Sequence, residues 1–358
     1  MRCQYIGVGE AIKMIRCSQQ CLICDFPIHL DTYQGCSHKC EYCFAKVKGE
    51  RAIKPINQKW AVKRFIEGHR NSETRWCDWN IPIHWGGNSD PFQACETVYK
   101  KSLECLEVFA ETKHPIIIST KNPVLATTEP YLSLLKQCRC VFQISMCCDS
   151  HDKREPGAPP YRERLKAAAI LSKNVTRVIA RLQPFYIQDY NDVMHELQNY
   201  KNAGVYGILI EGYYCTRKAD TVEGMEKDGA KYGFPIWRLA PMFKAIKAKC
   251  HEVGLRFFCG EDQLRFLSDD LACCGTENLP DFIPNKFNVE HLAHDEENAK
   301  PTFAMQMADT AGCFGGIRQT AEFRKNLKNK SFEQAMFEHG QDYIDYYEYL
   351  RHIYGDDE

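Results

Sequence analysis

The sequence predicts an α/β protein, a partial (β/α)6 TIM-type barrel, and three observations support this. Short runs rich in β-branched and aromatic residues, typical of buried parallel strands, occur at 28–33, 81–87, 115–120, 140–146, 176–184, 206–212 and 255–260. Longer amphipathic stretches, typical of helices, lie between them at 93–113, 129–137, 161–173, 190–203 and 235–253. The alternation stops after residue 260. Because parallel strands need helical crossovers, this order favours a parallel sheet.

The domain organisation follows from where the alternation begins and ends. Residues 1–27 form a Cys-rich lead-in, residues 28–260 carry the barrel, and residues 261–358 form a Cys-containing extension. Within the extension, the aromatic-rich stretch 332–355 predicts a helix that caps the barrel. In barrels of this type the reactive groups lie at the carboxyl ends of the strands. The site is therefore expected at that edge.

The composition is typical of a water-soluble globular protein, with 44% hydrophobic and 26% charged residues among 358. No apolar run is long enough for a transmembrane helix, and the amino-terminal sequence lacks a signal-peptide pattern. We therefore expect a cytoplasmic protein without a membrane partner. The net charge of −1 gives no general attraction to nucleic acid. The densest basic stretch, 323–330, is interpreted as a solvated helix face.

The cysteine content points to metal chemistry. The chain has 20 cysteines, and clustered thiols in a reducing compartment usually hold metal ions or iron–sulfur clusters. Cys36, Cys40 and Cys43 directly follow the first predicted strand. Three thiolates do not complete a tetrahedral zinc site or a [4Fe–4S] cluster, each of which needs four ligands. The trio is therefore either an incomplete site or one left open for catalysis.

The trio and its surroundings resemble a known family. Cys36-x3-Cys40-x2-Cys43, with Tyr42 and Phe44 on either side of the last cysteine, resembles the cluster loop of radical S-adenosylmethionine (SAM) enzymes. Further segments resemble the spore photoproduct lyase-like subgroup in order and spacing: GGNSDPFQACE (86–96), STKNP (119–123), ISMCCD (144–149), REPGAPPYRERLKA (154–167) and RLQPF (181–185). The resemblance covers roughly residues 28–215.

The resemblance implies a definite chemistry. Each cysteine of the trio would bind one iron of a [4Fe–4S] cluster, and the fourth iron would bind the amino and carboxylate groups of SAM. One electron, from a donor such as a flavodoxin or ferredoxin, would cleave SAM to methionine and a 5′-deoxyadenosyl radical. That radical would abstract hydrogen from an unidentified substrate: a nucleic acid or nucleotide, a peptide or a small metabolite. The cofactors carry the reaction, and the protein positions them.

The same resemblance implies a set of cofactor-binding residues, for each of which a rim hydrogen bond or a turn is the alternative role. They are Tyr42, Phe44, Gly86, Gly87, Asn88, Ser89, Asp90, Lys121, Ser145 and Arg181. The two glycines would let backbone approach the SAM amino group. Ser145 would bind ribose or carboxylate, and Arg181 would bind the methionyl carboxylate through its forked guanidinium. Glu155 is a further candidate.

Other cysteines have competing interpretations. Cys259, Cys273, Cys274 and Cys313 could close an auxiliary site, a second iron–sulfur cluster or zinc, that orders the loop-rich extension. The earlier trio Cys17, Cys21 and Cys24 repeats the spacing but precedes the first strand, so we expect its members to be small buried hydrophobic residues.

Two more groups complete the candidates. Cys215, just past the sixth strand, would be a catalytic hydrogen-atom donor, with core packing as the alternative; Cys147-Cys148 is a second such candidate. Glu290, His291 and His294 are interpreted as surface-loop residues.

One difference from spore photoproduct lyase leaves the identity of the substrate undetermined. Spore photoproduct lyase carries a cysteine hydrogen donor just before the Ser-Asp pair, where this chain has Gly86, Gly87 and Asn88. Two further classes of function compete with the radical SAM interpretation. One is a non-catalytic zinc- or iron–sulfur-binding protein used in interaction or redox sensing. The other is a DNA-binding repair protein without SAM chemistry, which would need a basic surface stripe.

Overall fold

The computed structural model describes residues 15–17, 24–44, 52–71, 74, 77, 79–229, 231–285, 345–346 and 348–355. The strands in this part are, in chain order, β1 (Arg16–Cys17), β2 (Ile28–Leu30), β3 (Tyr33–Gln34), β4 (Lys54–Pro55), β5 (Ile83–Trp85), β6 (Ile116–Thr120), β7 (Cys140–Ser145), β8 (Arg177–Phe185), β9 (Gly207–Gly212), β10 (Tyr214–Cys215), β11 (Glu226–Asp228), β12 (Lys231–Gly233) and β13 (Arg256–Cys259).

The α-helices of the described part lie between the parallel strands, as crossovers require. They are α1 (Lys59–Ile66), α2 (Glu96–Tyr99), α3 (Lys101–Thr112), α4 (Pro123–Ala126), α5 (Tyr131–Leu135), α6 (Tyr161–Leu171), α7 (Tyr190–Asn202) and α8 (Ile236–Val253). Short 3₁₀ helices follow several strands, at Asp149–Arg154, Ile187–Asp189, Lys218–Asp220 and Asp262–Leu267.

The main sheet is open and mostly parallel. Its strand order is β1-β2-β5-β6-β7-β8-β9-β13, with β1 antiparallel to β2 and the other seven strands parallel to their neighbours. Six connections join the seven parallel strands, and each contains at least one α-helix. This arrangement confirms the predicted α/β fold with a partial barrel. Among the described helices, none combines the length and the apolar composition needed to cross a bilayer.

Most predicted bounds shift by one or two residues, and two elements differ for a structural reason. The first strand ends at Leu30, because Tyr33 and Gln34 turn away to pair with β4. The predicted helix 93–113 is split at Lys100, whose backbone is left-handed with φ 52°. The split lets the buried Glu96 carboxylate accept the backbone N–H groups of Ser102 and Leu103, at 2.9 and 2.8 Å, over the start of α3.

Two small sheets were not predicted. β3 and β4 form a two-stranded antiparallel sheet. β10, β12 and β11 form a second antiparallel sheet, between β9 and α8 in the chain. Its outer strand, Glu226–Asp228, is exposed and fully charged, so it lacks the apolar alternation that identifies a strand in a sequence.

The concave face of the main sheet is apolar at one end and polar at the other. Its floor is a cluster that includes Phe26, Ile117, Val141, Ile179, Leu209 and Phe258. Since strand side chains alternate between faces, the residues two positions further share this face: Ser119, Gln143, Arg181 and Glu211. Polar groups therefore line the interior towards the carboxyl ends of the strands.

The segment after β13 closes the floor of the barrel. Ala272, Cys274 and Phe282 are buried against the apolar floor cluster, and the Phe257 N–H donates to Asp269 at 2.8 Å. Packing against this apolar floor therefore helps to order the segment. Of the predicted capping helix, residues 345–346 and 348–354 are helical, and Lys244 of α8 donates to the Gly355 carbonyl at 2.8 Å. The bounds 1–27, 28–260 and 261–358 remain a prediction.

Candidate functional site

The cysteine trio lies on one loop at the carboxyl edge of the sheet. Cys40 is buried, whereas Cys36 and Cys43 are partly exposed, and the Cys43 N–H donates to the Cys40 carbonyl at 3.2 Å. The backbone of Lys39, between Cys36 and Cys40, is left-handed, with φ 52°. Burial raises the pKa of Cys36 to about 12 and that of Cys40 to about 11. The protein alone thus favours the thiol, and conversion to thiolate needs a bound cation.

Asp90 fixes the cysteine loop from the neighbouring strand. Its carboxylate lies 3.0 Å from Nε2 of His38, which sits between Cys36 and Cys40. It also accepts the Thr120 hydroxyl at 2.7 Å and the Lys121 N–H at 2.6 Å. Burial would raise the pKa of Asp90, but the His38 charge and these hydrogen bonds outweigh burial and lower it. The carboxylate is therefore an ionised anchor for the loop.

Other residues of segment 86–96 bind the chain between Asp31 and the cysteine loop. The Asp31 carboxylate accepts the N–H groups of Asn88 and Ser89 at 2.9 and 3.0 Å, and the Asn88 side chain at 2.9 Å. Gln93 accepts the Ser37 N–H at 2.9 Å and donates to the Gly35 carbonyl at 3.0 Å. Several groups predicted to bind cofactor thus hold the cysteine loop.

A second segment holds the loop from the opposite side. Gly157 exchanges contacts with His38: its N–H donates to the His38 carbonyl at 2.9 Å, and its own carbonyl lies 2.8 Å from His38 Nδ1. A Cβ at Gly157 would lie only 2.5 Å from the Ser37 carbonyl oxygen. The Glu41 N–H donates to the Arg154 carbonyl at 2.9 Å. The loop is therefore fixed at both of its faces.

Glu155 is the charged centre of this second segment. It accepts the Tyr42 hydroxyl, pairs with the buried Arg164, and lies 3.1 Å from Lys121 Nζ. Burial opposes its ionisation, but Lys121 and Arg164 hold its pKa well below the usual range. Lys121 Nζ also lies 5.1 Å from the centre of the Tyr42 ring. Lys121 and Tyr42 are thus brought together beside the trio, while Phe44 is exposed.

The two strand-end glycines differ in how strictly the protein requires them. Gly86 has φ +102°, and a Cβ there would clash with the Ser119 carbonyl oxygen, so this position requires glycine. A Cβ at Gly87 would lie 3.0 Å from His29 Nδ1, so a side chain there would require the His29 ring to move slightly.

Arg181 and Ser145 lie further along the polar interior. Arg181 donates to Gln143 at 2.7 Å and to Ser119 at 3.2 Å, and Ser119 is in turn 2.8 Å from His84 Nε2. Ser145 is buried, and its carbonyl accepts Arg164 at 2.7 Å. The guanidinium of Arg181 thus belongs to a hydrogen-bonded chain on the inner wall of the barrel.

An acidic group lies at the ends of β9 and β13. Burial raises the pKa values of Glu211, Glu261 and Asp262, and the charges of Glu261 and Asp262 raise that of Glu211 further. Gly212 donates its N–H to Glu261 at 3.1 Å. Burial, with the nearby Asp262, raises the pKa of Glu261 to about 7. The folded chain therefore holds a proton that the unfolded chain releases near the ordinary value of 4.5.

We expect Glu261→Gln to remove a pH-dependent loss of stability. Between pH 4.5 and about 7 the folded state binds more protons than the unfolded state, so the free energy of unfolding falls as the pH rises, by at most about 1.4 kcal/mol per pH unit. Denaturant unfolding of wild type and variant at about pH 5 and about pH 8 measures this dependence. The free energy of unfolding of the variant should rise relative to that of the wild type only at the higher pH. An equal difference at both values would contradict the assignment.

Cys215 lies on β10 with its thiol directed to the Arg217 carbonyl, 3.4 Å away. The neighbouring Tyr213 ring stacks on Tyr186 at 4.8 Å, and Tyr186 is 6.5 Å from Tyr42. A row of aromatic rings thus connects the Cys215 hairpin to the cysteine loop. The hydrogen-donor role of Cys215 and the cluster-binding role of the cysteine loop remain predictions.

The remaining cysteines are distributed differently from the sequence expectation. Cys24 lies close enough to Cys273 and Cys274 for their charges to affect one another's pKa, and burial raises the pKa of Cys24 to about 12. Cys259 is buried beside Cys273. Cys24 therefore lies near Cys273 and Cys274, although in the described part of the chain these thiols do not meet the spacing of ligands of one ion. Several positions lie outside the described residues: Cys21, Glu290, His291, His294, Cys313 and the side chain of Cys17.

Four residues of the site escaped the sequence analysis: Asp31, His38, Gln93 and Glu96. Each forms hydrogen bonds or ion pairs with residues that are distant in sequence. Glu96, for example, accepts hydrogen bonds from the Tyr33 and Tyr131 hydroxyls. All four had a local signal but no assigned role. Asp31 lies inside the first predicted strand, and His38 lies inside the cysteine spacing. Gln93 and Glu96 lie in the segment 86–96 that carries the family resemblance.

Comparison with known proteins gives distant similarities. No protein-family model matches the chain. It is 27% identical over 149 residues to the uncharacterized protein Rv2578c of Mycobacterium tuberculosis, and equally to an uncharacterized protein of Mycobacterium bovis. These matches cover 39% of this chain and 44% of the relative, so the chain spans less than half the length of the curated relatives it matches.

Solved structures share part of the architecture. Streptococcus suis SuiB bound to S-adenosylmethionine is 14% identical with a TM-score of 0.48, over 68% of this chain and 53% of SuiB. The protein anSMEcpe with bound AdoMet and a peptide is 11% identical with a TM-score of 0.43, over 91% of this chain and 97% of its own. At these scores the likeness carries no weight for function, which is argued below from the residues themselves.

Proposed function

We propose that this protein is a radical SAM enzyme. The observation that supports this most strongly is the loop itself: it presents three thiols from the carboxyl edge of a parallel sheet, and two separate segments fix it. Asp90 and Gln93 hold one face, and Gly157 and Glu155 hold the other. A structural zinc site needs four ligands from the protein, whereas a site that must also bind a substrate or cofactor needs an open position.

The residues fit a [4Fe–4S] cluster. The loop offers three thiols and, among the described residues, the buried Ser37 hydroxyl has no hydrogen-bond partner. Lys121 counteracts the burial of Cys40 by lowering its pKa. Cys36, Cys40 and Cys43 would hold such a cluster, which would supply the electron for reductive cleavage of the sulfonium bond of SAM.

The other proposed roles belong to the polar interior and the rim. Arg181, with Gln143 and Ser119, would bind the methionyl carboxylate, and Ser145 would contact ribose or carboxylate. Tyr42, Phe44 and Lys121 would border the cofactor, as would the backbone at Gly86, Gly87, Asn88, Ser89 and Asp90. Cys215 is proposed as the hydrogen-atom donor to the product radical. A flavodoxin or ferredoxin would supply electrons, and the substrate is unspecified.

The auxiliary site is also a proposal. Cys259, Cys273 and Cys274, with Cys313, would hold a second iron–sulfur cluster or zinc, and the proximity of Cys24 adds a further thiol to this group.

Spectroscopy of the reconstituted protein separates this function from a non-catalytic metal-binding role. Anaerobic reconstitution with iron and sulfide followed by reduction should give the electron paramagnetic resonance signal of a [4Fe–4S]⁺ cluster, and SAM should shift that signal. The SAM-sensitive signal should be lost in Cys36→Ala, Cys40→Ala and Cys43→Ala but kept in Cys95→Ala, which changes a partly exposed thiol outside the trio. Stoichiometric zinc with no SAM-sensitive signal would instead favour a structural or interaction protein.

A further inference from the structure

A second group of thiols lies near the cysteine loop. Cys147 and Cys148 follow directly after β7, and Asp189 ends the 3₁₀ helix after β8, so all three occupy the carboxyl edge of the sheet. Their two Sγ atoms and one carboxylate oxygen all lie within 4.8 Å of one another, and all three residues are buried. In the described part of the chain, no other group of His, Cys, Asp and Glu side chains meets this distance.

We propose that Cys147, Cys148 and Asp189 form a binding site for a single thiophilic divalent cation of the zinc type. This inference uses none of the cysteines of the trio and does not depend on the radical SAM proposal.

The spacing of the two sulfur atoms fits one metal ion. They are 3.9 Å apart. Zn–S bonds of about 2.3 Å in a tetrahedron place neighbouring sulfur atoms about 3.8 Å apart. A disulfide, in contrast, requires about 2.05 Å. The vicinal pair is therefore already at the separation of two ligands of one ion.

The third ligand is held in place by its own partners. Oδ2 of Asp189 lies 2.8 Å from His151 Nδ1, and Arg154 lies 3.2 Å from Oδ1. Such outer contacts orient a ligating carboxylate and limit its movement. They also supply positive charge: two thiolates and Asp189 carry three negative charges, which the cation and Arg154 together offset.

Solvent can reach the site on one side. Ser150 is exposed, and its hydroxyl lies 3.2 Å from Cys148 Sγ, so a cation and a water ligand can enter on that side.

The site is also connected to the cysteine loop. The 3₁₀ helix Asp149–Arg154 leads directly into Glu155, which binds Tyr42 and Lys121 beside the trio. A bound ion would fix the start of that segment.

Zinc protection from alkylation tests the site in the wild-type chain. The metal-free full chain is treated with iodoacetamide with and without Zn²⁺ and then digested with trypsin. Cys140, Cys147 and Cys148 fall in one tryptic peptide, 140–153, so Cys140 is an internal control. Zinc should suppress labelling of Cys147 and Cys148 and leave that of Cys140 unchanged. Equal labelling of Cys147 and Cys148 with and without zinc would overturn the proposal.

Variants give an independent readout. Cys147→Ser and Cys148→Ser should each lose about one zinc equivalent per chain, and Asp189→Asn should weaken zinc binding about 10–100-fold. Cys138→Ser is the matched control, since Cys138 is buried but outside the group. Unchanged zinc content in all three site variants would also overturn the proposal. If a variant fails to fold, the wild-type alkylation result decides.

Discussion

Asp90→Asn is expected to lower the free energy of unfolding by about 3–5 kcal/mol, because it leaves a buried charge without its partner. His38 Nε2 lies 3.0 Å from the Asp90 carboxylate, and both side chains are at most 5% exposed. The carboxylate also accepts the Thr120 hydroxyl and the Lys121 N–H. Because His38 lies between two cysteines of the trio, the variant should also bind less iron after reconstitution. Denaturant unfolding and iron analysis measure the two effects.

A matched control distinguishes this anchor from an ordinary ion pair. Lys59 and Glu107 are 2.8 Å apart but about half exposed, so Glu107→Gln should cost less than about 1 kcal/mol. An effect of Asp90→Asn no larger than that of the control would show that Asp90 does not hold the loop.

The Asp90–His38 pair also has a defined pH window. Asp90 has a lowered pKa, so its contribution is present above the ordinary value of 3.8 and is lost as the pH falls through the folded pKa. His38 has a raised pKa, so its contribution is complete below the ordinary value of 6.5 and is lost as the pH rises through the folded pKa. The pair therefore stabilises the loop fully between pH 3.8 and 6.5.

Glu155→Gln is expected to lower the free energy of unfolding by a comparable amount, because Glu155 holds the other side of the cysteine loop. The substitution removes the charge that compensates the buried Arg164 and lies 3.1 Å from Lys121, and breaking a buried pair costs about 3–5 kcal/mol. The Tyr42 hydroxyl would also lose an ionised acceptor. Thermal or denaturant unfolding, with iron content after reconstitution, measures the result.

The control for Glu155 is an exposed ion pair whose arginine lies on the same helix as Arg164. Arg162 and Asp149 are 2.6 Å apart and more than half exposed, so Asp149→Asn should change stability by less than about 1 kcal/mol. Wild-type stability and wild-type iron content in Glu155→Gln would refute the role of this segment.

Much of the fold could be predicted because its signals are local. Ile116–Thr120 and Cys140–Ser145 are fully buried parallel strands, and such strands have continuous apolar sequences. The position of the trio after the first strand was also a local signal. The hairpin of Glu226–Asp228 and Lys231–Gly233 was missed because, apart from Tyr232, its residues are charged or glycine, and most are exposed.

The organisation of the site depends on long-range contacts that the sequence does not display. The sequence places Asp90 at the rim as a cofactor ligand, but its carboxylate is bonded to His38, Thr120 and the Lys121 backbone. Likewise, the sequence separates Cys24 from Cys273 by almost the whole barrel, and only the closure of the barrel floor brings them together. Spacing identifies which residues are chemically suited to a site, and packing decides what each one contacts.

The most direct test of the central claim is production of 5′-deoxyadenosine. The reconstituted, dithionite-reduced full chain is incubated anaerobically with SAM, alone and with pooled DNA or cell extract as a source of substrate, and the product is quantified by chromatography. The radical SAM account predicts 5′-deoxyadenosine from the wild type and from Cys95→Ala, and none from Cys40→Ala. Cleavage of SAM by Cys40→Ala at the wild-type rate, or no cleavage by a fully loaded wild type under any of these conditions, would contradict it.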